Sequence, residues 1–419
     1  MKNTSSRVGN APYGEVFEDL WTLPYTYEPY RQRIIGSVAD LNAAKIDDVI
    51  NFHSTYYVPN NATLVVAGDI DVEATRALIE EFFGPIPAGA EPPALPAFTA
   101  TEPTGQRLTV TDPLANVPAI LFGYPIPART DTDFAALEVA ARLLGTGDSS
   151  RLAQALLDTG LSVDAGAFTD GQKNQSAFVG YAFANVDVSL EQLEQVYLDE
   201  LNRLVTEGVT AEELEKTINQ IRSERIVSLE TVEDLAENVQ TANFYFGDPQ
   251  AIFTEIDAFA KVTAEDVQRV IQQYLTPERA TVWLVQTGEA TPEPEATAEN
   301  AAVVEATPEA TAAPAATAAP AFVIEQATPP EPLPVRELVL PEITEKKLEN
   351  GLTVIVIPRP EVPIISVDLF FPGGESAVSA EQAGLSEMTA GVLTRGTESR
   401  SAQELASAIE QVGGSLSAD

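Results

Sequence analysis

The sequence predicts an α+β fold made of repeated units, each an antiparallel-rich sheet covered by helices, joined by Pro/Ala-rich linkers. Three observations predict it. Strand-like runs with alternating apolar residues come in groups, and long amphipathic helices follow them instead of alternating one for one, which disfavours a doubly wound parallel sheet. A helix–turn–strand unit occurs twice: at a constant offset of 218 residues Asp48 meets Asp266, Val49 meets Val267, Tyr56 meets Tyr274, Pro59 meets Pro277 and Ala62-Thr63 meet Ala280-Thr281. Two Pro/Ala-rich stretches divide the chain into blocks.

The elements follow in order. Block one, residues 1–85, carries the first copy of the repeat: the helix DDVINFHSTYY, a proline-containing turn and the apolar run LVVAG, expected as a strand. A linker over 86–105 leads to block two, 106–287. There an opening pair of strands precedes the helix DFAALEVAARLLG, strands around LSVDAGAFT and SAFVGYAFA, and long helices beginning at Ser189 and Thr210. Thr210 with Glu213, and Thr263 with Asp266, form capping-box spacings, and Gly208 stands where the preceding helix should stop. The second copy of the repeat, EDVQRVIQQYL through VWLVQ, closes the block. Residues 288–334 alternate Ala, Thr, Pro and Glu without apolar periodicity and read as an extended, disordered linker. Block three, 335–419, opens like block two: Leu352-Thr353-Val354 resembles Leu108-Thr109-Val110, and Val362-Pro363 resembles Val117-Pro118, ahead of alternating apolar residues.

Composition narrows the function. Among 419 residues, 24 Lys plus Arg against 63 Asp plus Glu leave a formal charge of -39, which repels phosphate backbones and anionic lipid, so nucleic-acid binding is not expected. The acidity is read as a solvated surface. With no cysteine there is no disulfide framework, thiolate metal site or cysteine nucleophile, although the compartment stays open. No apolar run approaches the ~20 residues that span a bilayer, and MKNTSSRVGNAPYG lacks a signal-peptide core.

The reactive residues are few. His53 is the one histidine, and it sits within an amphipathic helix beside aromatic residues, where packing or surface exposure accounts for it. A catalytic zinc needs three protein ligands, usually with at least two histidines, and Ser-His-Asp chemistry would need that same imidazole. Neither is expected.

PYRQRIIGSVADLNAAKIDDVINFHSTYYVPNNATLVVAGDID resembles the stretch downstream of the zinc site in bacterial pitrilysin/insulinase-type (inverzincin) metallopeptidases. GTGDSSRLAQALLDTGLS is similar to their following metal-free domain, and LENGLTVIVIPRPEVPIISVDLFFPGGESA with AGLSEMTAGVLTRGTESRSAQELASAIEQVGGSLSAD to the opening of a further metal-site domain. The resemblance implies zinc held by an HxxEH helix in active members, with the glutamate as base. In this chain the matching segment GLSEMTAGVL puts Glu387 and Gly391 at the histidine positions and Ala390 at the base position. The Arg and Tyr that hold substrate in the family's second domain are replaced by Leu157 and Val163. The expectation is therefore a peptidase-family fragment that is inactive as given and carries no cofactor. The alternative is a non-catalytic member that binds unstructured peptide or assembles with an active peptidase subunit.

Overall fold

The computed structural model describes residues 10–34, 36–99, 101–288, 342–360 and 363–418. All but the first residue of the expected linker 288–334 lies outside them. The chain divides into two compact units, one of Met1–Ala290 with Ile364–Asp419, the other of Thr291–Pro363.

In order, the first unit contains α1 (Gly14–Leu20), α2 (Val38–Ala43), α3 (Ile46–Tyr56), α4 (Val72–Phe83), β1 (Gln106–Asp112), β2 (Ala119–Pro127), α5 (Phe134–Gly145), β3 (Ser162–Asp170) and β4 (Gln175–Ala184). There follow α6 (Leu190–Thr206), α7 (Ala211–Val227), α8 (Val232–Phe246), α9 (Ala251–Phe259), α10 (Ala264–Tyr274) and β5 (Thr281–Thr287). The second unit holds a hairpin of β6 (Thr344–Lys347) and β7 (Thr353–Val356). The first unit resumes with α11 (Leu385–Leu393) and α12 (Ala402–Glu410).

The five strands of the first unit form one sheet in the order β1-β5-β2-β4-β3. It is mixed: β5 runs parallel to β1 and antiparallel to β2, while β2-β4 and β4-β3 are antiparallel. Side chains alternate across a strand, so each strand feeds two cores. Ile120, Phe122 and Tyr124 of β2, Phe178 and Ala182 of β4 and Val282 of β5 face the helical layer of Leu137 and Leu144 (α5), Tyr197 (α6), Ile221 (α7) and Val267 (α10). Leu121, Val179, Trp283 and Val285 face the other way, onto Tyr13, Val16 and Leu20 of the N-terminal segment. Sheets buried on both faces read as near-continuous apolar runs, which is why β2 and β4 look that way.

Residues 13–27, which the sequence places in the first block, are strapped to this outer face. The Tyr13 hydroxyl donates to the Val117 carbonyl at 2.8 Å, and Tyr25 donates to Asp170 at 2.7 Å. The Gln175 side-chain carbonyl accepts from the Thr26 and Tyr27 amides. The expected helices over block two are present, with both capping boxes formed and Gly208 in left-handed backbone at φ 82°. Helices α1, α8 and α9 were not anticipated.

Two expected strands are absent. Residues 63–67 (TLVVA) and the alternating apolar run 364–371 have no ladder partner among the described residues, because a strand exists only where another strand supplies its hydrogen bonds. The two copies of the repeat consequently differ in burial. Val267, Val270 and Leu275 are in the core, whereas their counterparts Val49, Phe52 and Tyr57 are exposed.

Candidate functional site

Helix α11 holds the three positions matched to a zinc helix. Spacings of three and four residues put Glu387, Ala390 and Gly391 on one face. Glu387 and Gly391 are exposed, Ala390 is half-buried, and nothing lies within 4 Å of the space a Gly391 Cβ would take. One carboxylate, a methyl group and a hydrogen give a single donor group where zinc needs three. Among the described residues no group of three or more His, Cys, Asp or Glu side chains is placed to hold a metal ion, so the described residues do not fit zinc. His53 stacks on Tyr57 at 4.9 Å between ring centroids, on the exposed side of α3.

Leu157 and Val163 lie on either side of one tight turn. Residues 153–157 form a single π-helical turn, in which the Asp158 amide donates to the Ala153 carbonyl at 2.9 Å, and the Leu161 amide then donates to the Leu156 carbonyl at 2.9 Å. Leu157 is half-buried against the main core. Val163 is exposed at the irregularity where β3 shifts register on β4. Neither side chain can offer a substrate carbonyl a hydrogen bond.

The chemistry-bearing cluster that the sequence did not single out lies where α12 meets α7. The turn after α5 carries Gly147 at φ 90°, and a Cβ there would stand 2.6 Å from the Glu410 Oε1, so only glycine lets the turn approach this close. It presents Ser149, whose hydroxyl donates to Glu410 and accepts from the Lys216 ammonium, while the Ser149 amide donates to Glu410 Oε1 at 3.3 Å. Lys216 and Glu410 also pair directly, Nζ to Oε2 at 3.3 Å, with both side chains 9% exposed. Asn219 donates to the Gln411 carbonyl at 2.8 Å. A Ser–Lys pair serves some hydrolases as nucleophile and base. Here Lys216 is engaged by the Glu410 carboxylate as well as by Ser149, and Glu410 belongs to α12, so the trio fastens α12 to α7 and to the turn after α5. Beside it opens a cavity of about 610 Å³, lined by Thr146, Asp148, Ser223, Leu405, Ile409 and Leu416 among others. In sequence Lys216 reads as one charged residue of the polar helix AEELEKTINQ, and no spacing betrays its partners.

A second buried polar cluster lies under α5, α7 and α9. Glu255 pairs with Arg129 at 3.0 Å and Arg225 at 3.8 Å, and the Arg129 guanidinium lies 4.9 Å from the Tyr245 ring centroid. Arg142 bridges Glu224 at 2.7 Å and Glu138 at 3.6 Å. Burial raises the Glu138 carboxyl above its ordinary range, against the pull of Arg225 and Arg142. The adjoining cavity is only about 20 Å³, room for one water, so this cluster holds helices together and is not a binding site.

Comparison with known proteins agrees with this geometry. Residues 43–221 match the model of the peptidase M16 inactive domain. The chain is 29% identical over 280 residues to the zinc protease PqqE of Helicobacter pylori, covering 66% of this chain and 62% of that protein. It is 27% identical over 262 residues to the probable mitochondrial-processing peptidase subunit alpha of Schizosaccharomyces pombe, covering 57% of this chain and 50% of that protein. The chain thus spans one half to three fifths of the length of these relatives. Among solved structures a protease from Helicobacter pylori superposes with a TM-score of 0.62 at 24% identity, covering 68% of this chain and 70% of that one, which shows a common fold. Residues 43–221 are thus similar to the peptidase M16 inactive domain, and the chain resembles zinc proteases of the pitrilysin/insulinase type.

Proposed function

We propose that this chain is a non-catalytic part of an M16 peptidase system, a metal-free half that closes over an unstructured peptide beside an active peptidase domain or subunit. One observation carries the reading: in a chain similar to zinc proteases, the described residues bring together no ligand set for zinc. The α11 face supports it, since Glu387, Ala390 and Gly391 supply neither two imidazoles nor a general base. Leu157 and Val163 support it as well, because apolar side chains there leave peptide recognition to shape and backbone contacts. The Schizosaccharomyces pombe relative is named as one subunit of a processing peptidase, which favours assembly with a separate active subunit.

The test is direct. The purified full chain, dialysed with zinc and then freed of excess metal, is assayed for bound zinc by mass spectrometry and for hydrolysis of unstructured fluorogenic peptides. Substoichiometric zinc and no turnover are expected. Chelator-sensitive turnover with one tightly held zinc per chain would refute the reading.

A further inference from the structure

Helices ordinarily bury an apolar stripe and leave their charges in water. Helix α12 does the reverse: its buried residue is Glu410, while Leu405 and Ile409 are only half-buried. The donors around that carboxylate all come from other elements. The Ser149 amide reaches Oε1 at 3.3 Å, the Ser149 hydroxyl donates to Oε2, and the Lys216 ammonium stands 3.3 Å from Oε2. None of them relies on α12 for its position. The Gln154 side-chain amide donates to the Ser149 carbonyl at 2.8 Å, and the Ser150 amide closes the turn on the Gly147 carbonyl at 3.1 Å. Lys216, 7% exposed on α7, donates to the Ser149 carbonyl at 3.3 Å and to its hydroxyl. At Gly147 the missing side chain leaves the room that Glu410 Oε1 takes.

We propose that Gly147, Ser149 and Lys216 form a receptor for the carboxylate of a peptide, and that Glu410 fills it in cis, so that α12 is a plug which the peptide displaces. The Glu410 side chain ends in the same group that ends a polypeptide chain. An amide, a hydroxyl and an ammonium converging on one carboxylate make charge-assisted bonds of the kind that capture such ends. Because the donors are braced from within residues 147–154 and α7, little order has to be created when a ligand arrives. The wider field opposes an anion, since Asp148 and Glu224 line the adjoining cavity and the chain carries a formal charge of -39. Glu410 is seated there all the same, so the local donors outweigh that field. The plug also comes from the weakly held end of the fold: with few buried apolar contacts, α12 opens before the sheet does. The inference deepens the proposed function by naming where a peptide's carboxylate would rest, and only its peptide arm depends on that reading.

The test uses the full chain and separates receptor from ligand. In E410A the cradle is empty, and acetate, the bare functional group, should raise the melting temperature by a few degrees and restore protease protection around residues 394–416. Acetamide, or sodium chloride at matched ionic strength, should do neither, and K216M/E410A should not respond to acetate. In the second arm a dye-labelled alanine–leucine peptide with a free C-terminus, followed by fluorescence anisotropy, should bind E410A roughly tenfold or more tightly than it binds the parent, because the parent must first open α12. The C-terminally amidated peptide should not bind. An amidated form with one internal glutamate then tells the two sources apart, binding if a side-chain carboxylate suffices and failing if a chain end is required. The parent chain supplies a readout that needs no variant: the free peptide should speed cleavage at 394–416, since it competes with Glu410 for one site. The receptor is overturned if acetate leaves E410A unchanged or acts equally on K216M/E410A. Acetate rescue with free and amidated peptides binding alike, or not at all, overturns the peptide ligand.

Discussion

Replacing Glu410 by alanine tests whether the Ser149–Lys216–Glu410 trio holds α12 in place. After truncation the Lys216 ammonium keeps the Ser149 hydroxyl and the Ser149 carbonyl, the latter at 3.3 Å, but loses its countercharge at a site 9% exposed. Removing one partner of a buried ion pair costs about 3–5 kcal/mol. The chain can avoid that cost by releasing α12, which is held otherwise by the Asn219–Gln411 hydrogen bond and the half-buried Leu405 and Ile409. A bound hydrogen bond and two partly buried aliphatics contribute on the order of 2–4 kcal/mol, and this sets the ceiling. The expected loss is therefore ~2–4 kcal/mol, appearing as undocking of α12 before the sheet unfolds. Urea denaturation followed by tryptophan fluorescence measures the sheet, and limited proteolysis with mass mapping reports cleavage around residues 394–416. The double variant K216M/E410L should recover most of the loss, because an apolar pair of similar volume replaces a buried ion pair at little cost. The reasoning is refuted if E410A protects 394–416 as well as the parent does, or if K216M/E410L is less stable than E410A.

Further outcomes follow from the core and its charges. Gly180→Ala should cost about 1–3 kcal/mol in chemical denaturation, because its Cβ would stand within 2.5 Å of the Tyr197 ring, which stacks on Phe122 at 4.1 Å. Tyr197→Phe should be neutral or stabilising, since the buried Tyr197 hydroxyl has no partner among the described residues. The Arg269 hydrogen bond, helped by Tyr274 and by the Arg269 charge, holds the Asp133 carboxyl below its ordinary range despite partial burial. The folded value is depressed, so this stabilisation is present above the unfolded carboxylate range and is lost as pH falls through the folded value; Arg269→Ala should move acid unfolding to higher pH and cost less than ~1 kcal/mol at neutral pH, Arg269 being half-exposed. Glu138 behaves oppositely. Burial raises its folded value, so stability is lost as pH rises through it, and Glu138→Gln should stabilise at pH 8 while the gain fades toward pH 4, as thermal melts at the two pH values will show.

What the sequence disclosed was what local pattern encodes. The capping boxes at Thr210 and Thr263 and the period of α10 mark helices that form largely from their own residues. The α+β class was likewise legible in the grouping of β2 and β4 with the helices around them. Pairing was not legible, because TLVVA at 63–67 and TVWLV at 281–285 are equally apolar and differ only in whether a neighbouring strand is present. The strap of Tyr13, Tyr25 and Tyr27 reaches partners about 70–150 positions away, and no periodicity reports such contacts. The positions Glu387, Ala390 and Gly391 are read from motif spacing alone, which a helix at Leu385–Leu393 accommodates on one face. The Lys216–Glu410 pair depends on tertiary burial alone.

The placement of β5 between β1 and β2 has a temporal cost. Gln106 pairs with Thr281, 175 positions later in the chain. At ~5–20 residues per second, a ribosome needs roughly 10–35 s to deliver β5 after β1 has emerged. During that interval β1 has no neighbour on the side that β5 will fill and Leu121 waits without Trp283. The nascent sheet is then an open adhesive edge, and faster synthesis or a holdase shortens or shields that exposure.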